Sequence, residues 1–298
     1  MKSIPILCAL LWTSTAFADD DDARPTAHPA EDKAAEAGPG KFSLLSHECK
    51  PEESQLETIP GAPPLDVDDP ETPGCNAWEI NVVTSAEYSK STNYIAPLFD
   101  INYGVGDNIQ LKFEIPYEVS KAEGAYASGW GAAEFGIKWR FYDSEASGLG
   151  VGIYPQVEFA IPGTAAAEEG GTITKLPLLV TKKIGETSKG DIMVTGNVGY
   201  NISTHPGTEN YLSAALGLGL PLLKNVAILG EVSTEQAFGN NMENVREGYL
   251  KGNIGLMGPV NDHLVWVAAL GRTINSTMMD DPNHTCVLLG VRLLAGGP

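Results

Sequence analysis

From position 75 onward, the sequence consists of stretches of about ten residues in which apolar and polar side chains alternate, separated by Gly, Asn, Asp and Pro. In residues 78–88 the even positions are mostly apolar or aromatic, and the odd positions include Glu79, Asn81 and Glu87. A period of two is typical of a β-strand with one face in water and one in an apolar environment. Ten residues at ~3.3 Å each, tilted by ~40°, span about 25 Å, which matches the apolar band of an outer-membrane barrel.

The alternation recurs often enough to predict twelve strands, some of them weaker in pattern. They are residues 78–88, 94–105, 109–119, 133–141, 151–161, 173–184, 192–202, 212–222, 226–234, 249–257, 264–273 and 285–294. After a brief first loop, short connections at 106–108, 143–148, 185–191, 224–225 and 259–263 alternate with longer ones at 120–130, 162–171, 203–209, 235–248 and 275–284. Short turns at one end and long loops at the other are typical of bacterial outer-membrane barrels. We therefore predict an all-β, transmembrane antiparallel β-barrel of about twelve strands over residues 75–298. A soluble exported β-sandwich is the alternative, but its strands are usually about 5–6 residues long.

The first eighteen residues have the pattern of a secretory signal peptide. Lys2 supplies a positive charge, residues 4–12 are apolar, and Ala16-Phe17-Ala18 is a small-x-small cleavage signature. We expect the mature chain to begin at Asp19 and the protein to be exported. An even number of strands then places both chain termini on the short-turn side, in the periplasm.

Residues 19–74 form an acidic, proline-rich stretch with 15 acidic and 4 basic residues and 9 of the chain's 20 prolines. High charge with few large apolar side chains predicts a disordered periplasmic arm. A flexible plug or a partner-binding segment is the alternative. Because export leads to an oxidising compartment, Cys49 and Cys75 are candidates for a disulfide.

Charge and hydropathy exclude two classes of protein. The formal net charge of -19 excludes a nucleic-acid binder, which needs a basic surface to displace counterions from phosphates. After the signal peptide, no apolar run approaches the ~20 residues of a membrane-spanning helix, which excludes a helical membrane protein.

In a barrel with an apolar outer face, the alternate positions point into the lumen. Twelve charged residues at these positions are lumen-facing candidates: Glu79, Glu87, Lys112, Glu114, Glu118, Glu134, Lys138, Arg140, Glu158, Glu231, Lys251 and Arg292. Five aromatic residues are expected at the membrane interfaces: Trp78, Tyr88, Tyr117, Trp139 and Trp266. Mixed signs on adjacent strands suggest pairing, such as Lys112 with Glu134. Ion pairs could close the lumen, or the same residues could line a wet channel.

Signals for enzymatic activity are faint. The sequence contains no Gly-x-Ser-x-Gly, phosphate-binding loop, Cys-x-x-Cys or His-Glu-x-x-His motif. Asp280, Asp281 and His284 in the last long loop could hold a metal or activate water, but solvated loop charges are the favoured interpretation. We expect no catalytic residues, no cofactor and no metal site.

The hairpin of residues 131–163 reads GAAEFGIKWRFYDSEASGLGVGIYPQVEFAIPG. It resembles a hairpin of the proteobacterial family named for the MetA pathway of phenol degradation. That family has a Gly-rich start, an acidic residue, Gly-x-Lys-Tyr-Arg, a short acidic turn and an apolar strand that ends on Pro-x-Gly. The matching residues are Glu134, Gly136, Lys138, Trp139 in place of Tyr, Arg140, and Glu158 through Pro162-Gly163.

The resemblance implies an outer-membrane barrel that passes small, often aromatic or hydrophobic, compounds. We therefore expect a porin-like channel or uptake protein in a Gram-negative cell envelope. Its partners would be outer-membrane lipid, a small solute and the barrel-insertion machinery during assembly. Two alternatives remain: a structural or adhesive barrel with a lumen closed by ion pairs, and a barrel hydrolase.

Overall fold

The computed structural model describes residues 41–42, 49, 65–89, 92–122, 125–162, 164, 170–205, 208–223, 225–239, 246–277 and 284–296. They form fifteen strands: β1 (Lys41–Phe42), β2 (Ala77–Tyr88), β3 (Thr92–Gly104), β4 (Ile109–Ala122), β5 (Ala125–Trp130), β6 (Ala133–Ser144), β7 (Leu149–Ile153), β8 (Gln156–Phe159), β9 (Thr172–Thr187), β10 (Gly190–Ser203), β11 (Tyr211–Leu223), β12 (Val226–Ala237), β13 (Gly248–Asn261), β14 (Leu264–Ser276) and β15 (Thr285–Gly296). The predicted signal peptide lies outside the described residues. Within those residues, no helix is long and apolar enough to cross a membrane.

The strands close into a twelve-stranded antiparallel barrel, which confirms the predicted fold class. Each of the twelve barrel strands pairs with the next one along the chain, and β15 pairs with β2 to close the sheet. Two barrel strands are interrupted. Strands β5 and β6 both pair with β4 and together form the fourth barrel strand, and β7 and β8 both pair with β9 and form the fifth. Closure leaves no free edge, which satisfies the backbone polar groups in an apolar surrounding.

Alternation along each strand produces the two faces of the barrel wall. Outward positions carry exposed apolar side chains, among them Phe135 and Ile137 on β6 and Leu216 on β11. The positions between them are buried and point inward. At the short-turn end of β12 to β15 the inner face is apolar, with a cluster formed by Ala227, Leu229, Met257, Val265, Val267, Leu294 and the adjoining Leu288. This cluster narrows the lumen on that side.

Two predicted boundaries in the loops and strands need correction. The predicted long loop at 120–130 is mostly strand, because β4 continues to Ala122 and pairs with β5 as far as Ala125. The Gly, Ala and Ser residues there carry a weak alternation signal but can still form ladder hydrogen bonds. The predicted strand 151–161 is interrupted at Tyr154 and Pro155, because Pro lacks the N–H that a central ladder needs.

A third correction concerns the predicted disordered arm. Its last ten residues, Leu65–Gly74, are ordered within the barrel, and we call them the lumen segment. Val67 is 4% exposed, and Pro70, Thr72, Pro73 and Gly74 are buried too. Composition predicted disorder because the segment is short of apolar residues, yet the polar barrel wall supplies partners for its charges. Strand β1, also from the predicted arm, pairs with β6.

A disulfide joins the two ends of the stretch that contains the lumen segment. Cys49 and Cys75 are bonded, with their Cα atoms 5.5 Å apart. Cys75 lies two residues before β2, at the short-turn end of the barrel. The disulfide therefore closes a covalent loop at that end, and this loop includes the lumen segment.

Candidate functional site in the barrel lumen

The twelve predicted lumen residues occupy inward-facing positions of their strands. Eleven are buried or half-buried, and Glu118 is exposed near the long-loop end of β4. Carboxylates and basic groups are interleaved along β4 and β6. Ten of the twelve separate into an ion-pair cluster, a second polar group and two sets that bind the lumen segment, and Glu87 and Glu118 lie outside these groups.

The ion-pair cluster joins three strands through Glu134. Lys112 lies 2.7 Å from Glu134 and 2.8 Å from Glu114, and Lys175 lies 2.7 Å from Glu134 and 2.9 Å from Glu158. Each carboxylate oxygen of Glu134 thus accepts from a different lysine. Charges buried to this extent are stable only when they are paired and hydrogen-bonded, so the cluster fixes the register of neighbouring strands.

A second polar group lies where β15 meets β2 and β3. The Arg292 Nε atom donates to Asn81 Oδ1 at 3.0 Å and lies 3.3 Å from Glu79. Asn81 in turn donates to Asp100 at 2.9 Å. The barrel closure between the first and last strands is therefore held by side chains as well as by the backbone ladder.

One end of the lumen segment is bound to β12 and β13. The Asp66 carboxylate accepts from Ser233 Oγ at 2.6 Å and from Asn253 Nδ2 at 2.9 Å, and it lies 3.1 Å from Lys251 Nζ. The backbone N–H groups of Asp66 and Val67 donate to the Glu231 carboxylate at 2.9 and 3.2 Å. Both a side chain and the backbone of the segment are therefore recognised by this wall.

The other end of the lumen segment is bound to β6. The Glu71 carboxylate accepts from the Arg140 guanidinium, and the Glu71 carbonyl accepts from Lys138 Nζ at 3.2 Å. Lys138 also lies 3.8 Å from the Asp69 carboxylate. Strands β6 and β13 are the fourth and tenth of the twelve barrel strands, so they lie on opposite walls. The segment consequently crosses the lumen from wall to wall.

Between these two ends the segment is held by hydrogen bonds to its backbone and by the packing of its proline ring against the barrel wall. Asn197 on β10 accepts from the Asp68 N–H at 2.7 Å and donates to the Asp68 carbonyl at 2.5 Å. The Pro70 ring occupies a hollow formed by glycines of β7. A Cβ atom at Gly150 or Gly152 would lie only 3.1 or 3.2 Å from Pro70 ring carbons. The missing side chains on β7 create the space that the proline fills.

Burial affects the titration of the two carboxyl groups that face β6. Desolvation raises the pKa of Asp69, and Lys138 lowers it in part. Desolvation likewise raises the pKa of Glu71, and Arg140 lowers it in part. The surroundings thus disfavour the charged forms of both carboxyl groups, although the Glu71 side chain is still 40% exposed.

The remaining predicted site residues lie away from the lumen segment. The five aromatics predicted at the membrane interfaces, Trp78, Tyr88, Tyr117, Trp139 and Trp266, occupy outward-facing positions, where Trp78 packs against Tyr103 and Tyr117 packs against Trp130. His284 lies 3.2 Å from the Thr273 hydroxyl and 3.7 Å from Glu87, whereas Asp280 and Asp281 lie outside the described residues. In the part of the chain that the structure describes, no group of three His, Cys, Asp or Glu residues could hold a metal ion.

Sequence analysis missed several residues that build this site. Lys175 is an inward-facing partner of Glu134, but it lies on a strand with a weak alternation pattern. Tyr154 is buried at the interruption between β7 and β8, where its ring centroid is 4.9 Å from Lys138 Nζ. Asn197 and Asn253 carry no charge and gave no signal of their own. Period-two counting along β9 from Leu179 and Thr181 would have placed Lys175 on the inward face.

The comparisons with known proteins concern the fold. No family model matches the sequence, and no curated protein matches it. The structure is similar to the COG4313 outer membrane channel from Pseudomonas putida F1, with a TM-score of 0.61 and 13% identity, over 78% of this chain and 100% of that chain. It is also similar to the NanC porin, with a TM-score of 0.53 and 6% identity, over 72% of this chain and 98% of that one. At these identities the likeness establishes that the chain has the fold of outer-membrane channel and porin barrels.

Proposed function

We propose that this protein is an outer-membrane channel or uptake protein for small solutes, and that the lumen segment closes its pore in the structure described above. We base this proposal on the path of the segment, which crosses the lumen from β13 to β6 and is held mainly by polar contacts. A permanently sealed barrel would be expected to fill its interior with apolar or covalent contacts, whereas hydrogen bonds and ion pairs to a polar wall can be exchanged for water or solute.

The lumen wall supports a polar path once the segment is released. The ion-pair cluster around Glu134 remains paired without any contribution from the segment, so release would not leave that buried cluster uncompensated. On β11 the inward positions Gly217 and Gly219 carry no side chains and widen the lumen locally. The mechanism is passive: long loops gather the solute, and the lumen wall selects it.

Several finer assignments accompany this proposal. The fold supports a location in the outer membrane, with residues 1–18 as a signal peptide and the chain termini on the periplasmic side. The residues of β6 that match the phenol-degradation MetA family, Glu134, Lys138 and Arg140, all line the lumen, which supports membership of that family. We assign the protein no catalytic activity, and we expect lipid and the barrel-insertion machinery as its partners.

Conductance in planar lipid bilayers tests the channel proposal. Purified full-length protein should produce discrete openings separated by long closures, since the segment is held at both walls. Detergent-dependent solubility and heat-modifiable gel mobility should first establish that the sample is a folded barrel. Folded protein without openings, also after all anchoring contacts of the segment are removed, would favour a structural or adhesive barrel instead.

A further inference from the structure

The part of the lumen segment that faces β6 has the chemistry of a small amphipathic acid. Pro70 places an apolar ring in the glycine hollow of β7, and the neighbouring Glu71 places a carboxylate on Arg140. Ring and carboxylate belong to adjacent residues and occupy adjacent subsites. The wall therefore recognises a compact ring with an acid group attached to it.

The subsite for the carboxylate is built from two buried cations. The side chains of Lys138 and Arg140 are 7% and 9% exposed. Lys138 faces the Asp69 carboxylate and the Tyr154 ring, and Arg140 also lies near Asp143, at 3.7 Å, and donates to the Asp107 carbonyl at 3.0 Å. When the segment leaves, both cations lose a carboxylate partner in a poorly solvated place, so an incoming anion is favoured there.

The glycine hollow adjoins this carboxylate subsite. A Cβ atom at Gly150 would also lie 3.5 Å from a Glu71 carboxylate oxygen and 3.1 Å from Thr181 Cγ2. The hollow is thus bounded by β7 and β9 and opens toward Arg140. Removing Pro70 leaves an apolar depression of about one small ring beside a guanidinium.

Resting on the proposed channel function, we propose that the Pro70–Glu71 subsite binds a small ring-bearing carboxylate solute, which competes with the lumen segment for Arg140 and Lys138. The segment acts as an internal substitute for the solute. Because the solute binds only where the segment has been released, solute binding stabilises the released state. It therefore shifts the equilibrium toward the open channel. A guanidinium can donate two parallel hydrogen bonds to a carboxylate, and an uncharged analogue of the solute cannot form this bidentate ion pair.

The test uses benzoate, with benzamide as its uncharged isostere and acetate as a carboxylate without a ring. Isothermal titration calorimetry on the full-length protein in detergent measures binding independently of transport. We expect the order benzoate, then acetate, then benzamide. In a Glu71→Gln background, which removes the competing carboxylate of the lumen segment, Arg140→Gln should lower the benzoate affinity at least 10-fold, the size expected for one charge-assisted contact. Lys189→Gln, in an exposed turn outside the lumen, should leave the affinity unchanged. If Arg140→Gln does not fold by heat-modifiable mobility, Lys138→Gln takes its place.

Bilayer recordings complete the test. Benzoate should raise the open fraction of the wild-type protein, and benzamide should not. Equal affinities for benzoate and benzamide, or an affinity that Arg140→Gln leaves unchanged, would overturn the carboxylate site, and equal affinities for acetate and benzoate would overturn the ring subsite. Benzoate binding without ion conduction in any variant would uphold the site and overturn the channel function. Ion conduction without benzoate binding would uphold the channel function and overturn the site.

Discussion

The Asp66 carboxylate is the anchor of the lumen segment that can be removed with the least disturbance to the barrel. Asp66 lies outside every strand, and its three side-chain partners are Ser233, Lys251 and Asn253. Asp66→Ala deletes these contacts and leaves the segment's backbone contacts to Glu231 in place. The substitution should therefore change the position of the segment and leave the barrel folded.

The size of the effect follows from the contacts that are lost. Hydrogen bonds to a charged group contribute ~1.5–3 kcal/mol each when buried, but this site is partly open to water, so we assign about 1 kcal/mol to each. Three contacts then give about 3 kcal/mol, which corresponds to a shift of about 100-fold in the ratio of released to bound segment. A wild-type open fraction of about 0.01 would rise to about 0.5.

Single-channel recording in planar bilayers measures this shift as the open fraction. Asp262→Ala, which removes a carboxylate from an exposed turn, is the matched control and should keep the wild-type value. Ser233→Ala should raise the open fraction less than Asp66→Ala, and the double variant should add little to Asp66→Ala alone, because both remove one shared contact. Two results would show that Asp66 does not anchor the segment in this way. One is an open fraction in Asp66→Ala equal to that of the wild type. The other is a double variant in which the effects of Asp66→Ala and Ser233→Ala on segment release add in full.

Three further predictions concern the same equilibrium. Replacing Cys49 and Cys75 by Ser opens a loop with a sequence separation of 26. The released segment then gains chain entropy worth about 3 kcal/mol, so the open fraction should rise. Reduction of the disulfide in the wild-type protein should have the same effect. Gly150→Val should also raise the open fraction, because its side chain occupies the space of the segment's proline ring and overpacking costs about 1–3 kcal/mol. Acidification should lower the open fraction, because Asp69 and Glu71 have raised pKa values in the lumen and the bound segment therefore takes up protons more readily than the released one.

Each of these predictions has its own control. The Ser variant should not respond to reductant. Gly230→Val, at an outward position where a Cβ atom would meet nothing within 4 Å, should behave as wild type. The pH effect should level off near the ordinary carboxyl values of 3.8 and 4.5 and should be reduced in Asp69→Asn/Glu71→Gln. A rise in open fraction on acidification would contradict the sign derived from burial.

The barrel could be predicted from the sequence because its signal is local. Alternation of inward and outward side chains is repeated in every strand, and the lengths of the connections report which end of the barrel they lie at. Errors arose where this local signal is weak, as at β5, whose small residues do not alternate clearly, and at Lys175. On β9 the period-two pattern still holds, because Lys175 shares a face with the buried Leu179 and Thr181, whereas β5 shows no such alternation of burial.

The lumen segment could not be predicted because its order depends on distant partners. Asp66 binds residues that are 165 or more positions away in the sequence. Viewed alone, an acidic stretch with several prolines has the composition of a disordered chain. Only the closed barrel brings Ser233, Asn253 and Arg140 to the two sides of one narrow space, so the partners of the segment exist only after the barrel has folded.

We have proposed that the lumen is the conducting path and that the lumen segment closes it. A variant in which Asp66–Pro73 is replaced by eight Gly and Ser residues keeps the disulfide and the chain length but removes the anchors. Cys286 is 9% exposed on the inner face of β15 and is a native reporter of the lumen. The most direct measurement is the single-channel current of this variant before and after addition of a negatively charged methanethiosulfonate reagent. We expect a mostly open channel whose current falls when Cys286 is modified and does not fall when Cys286→Ser is introduced. Closures that persist in the variant as in the wild type would show that the lumen segment does not close the channel. A current that does not change when Cys286 is modified would show that the lumen is not the conducting path.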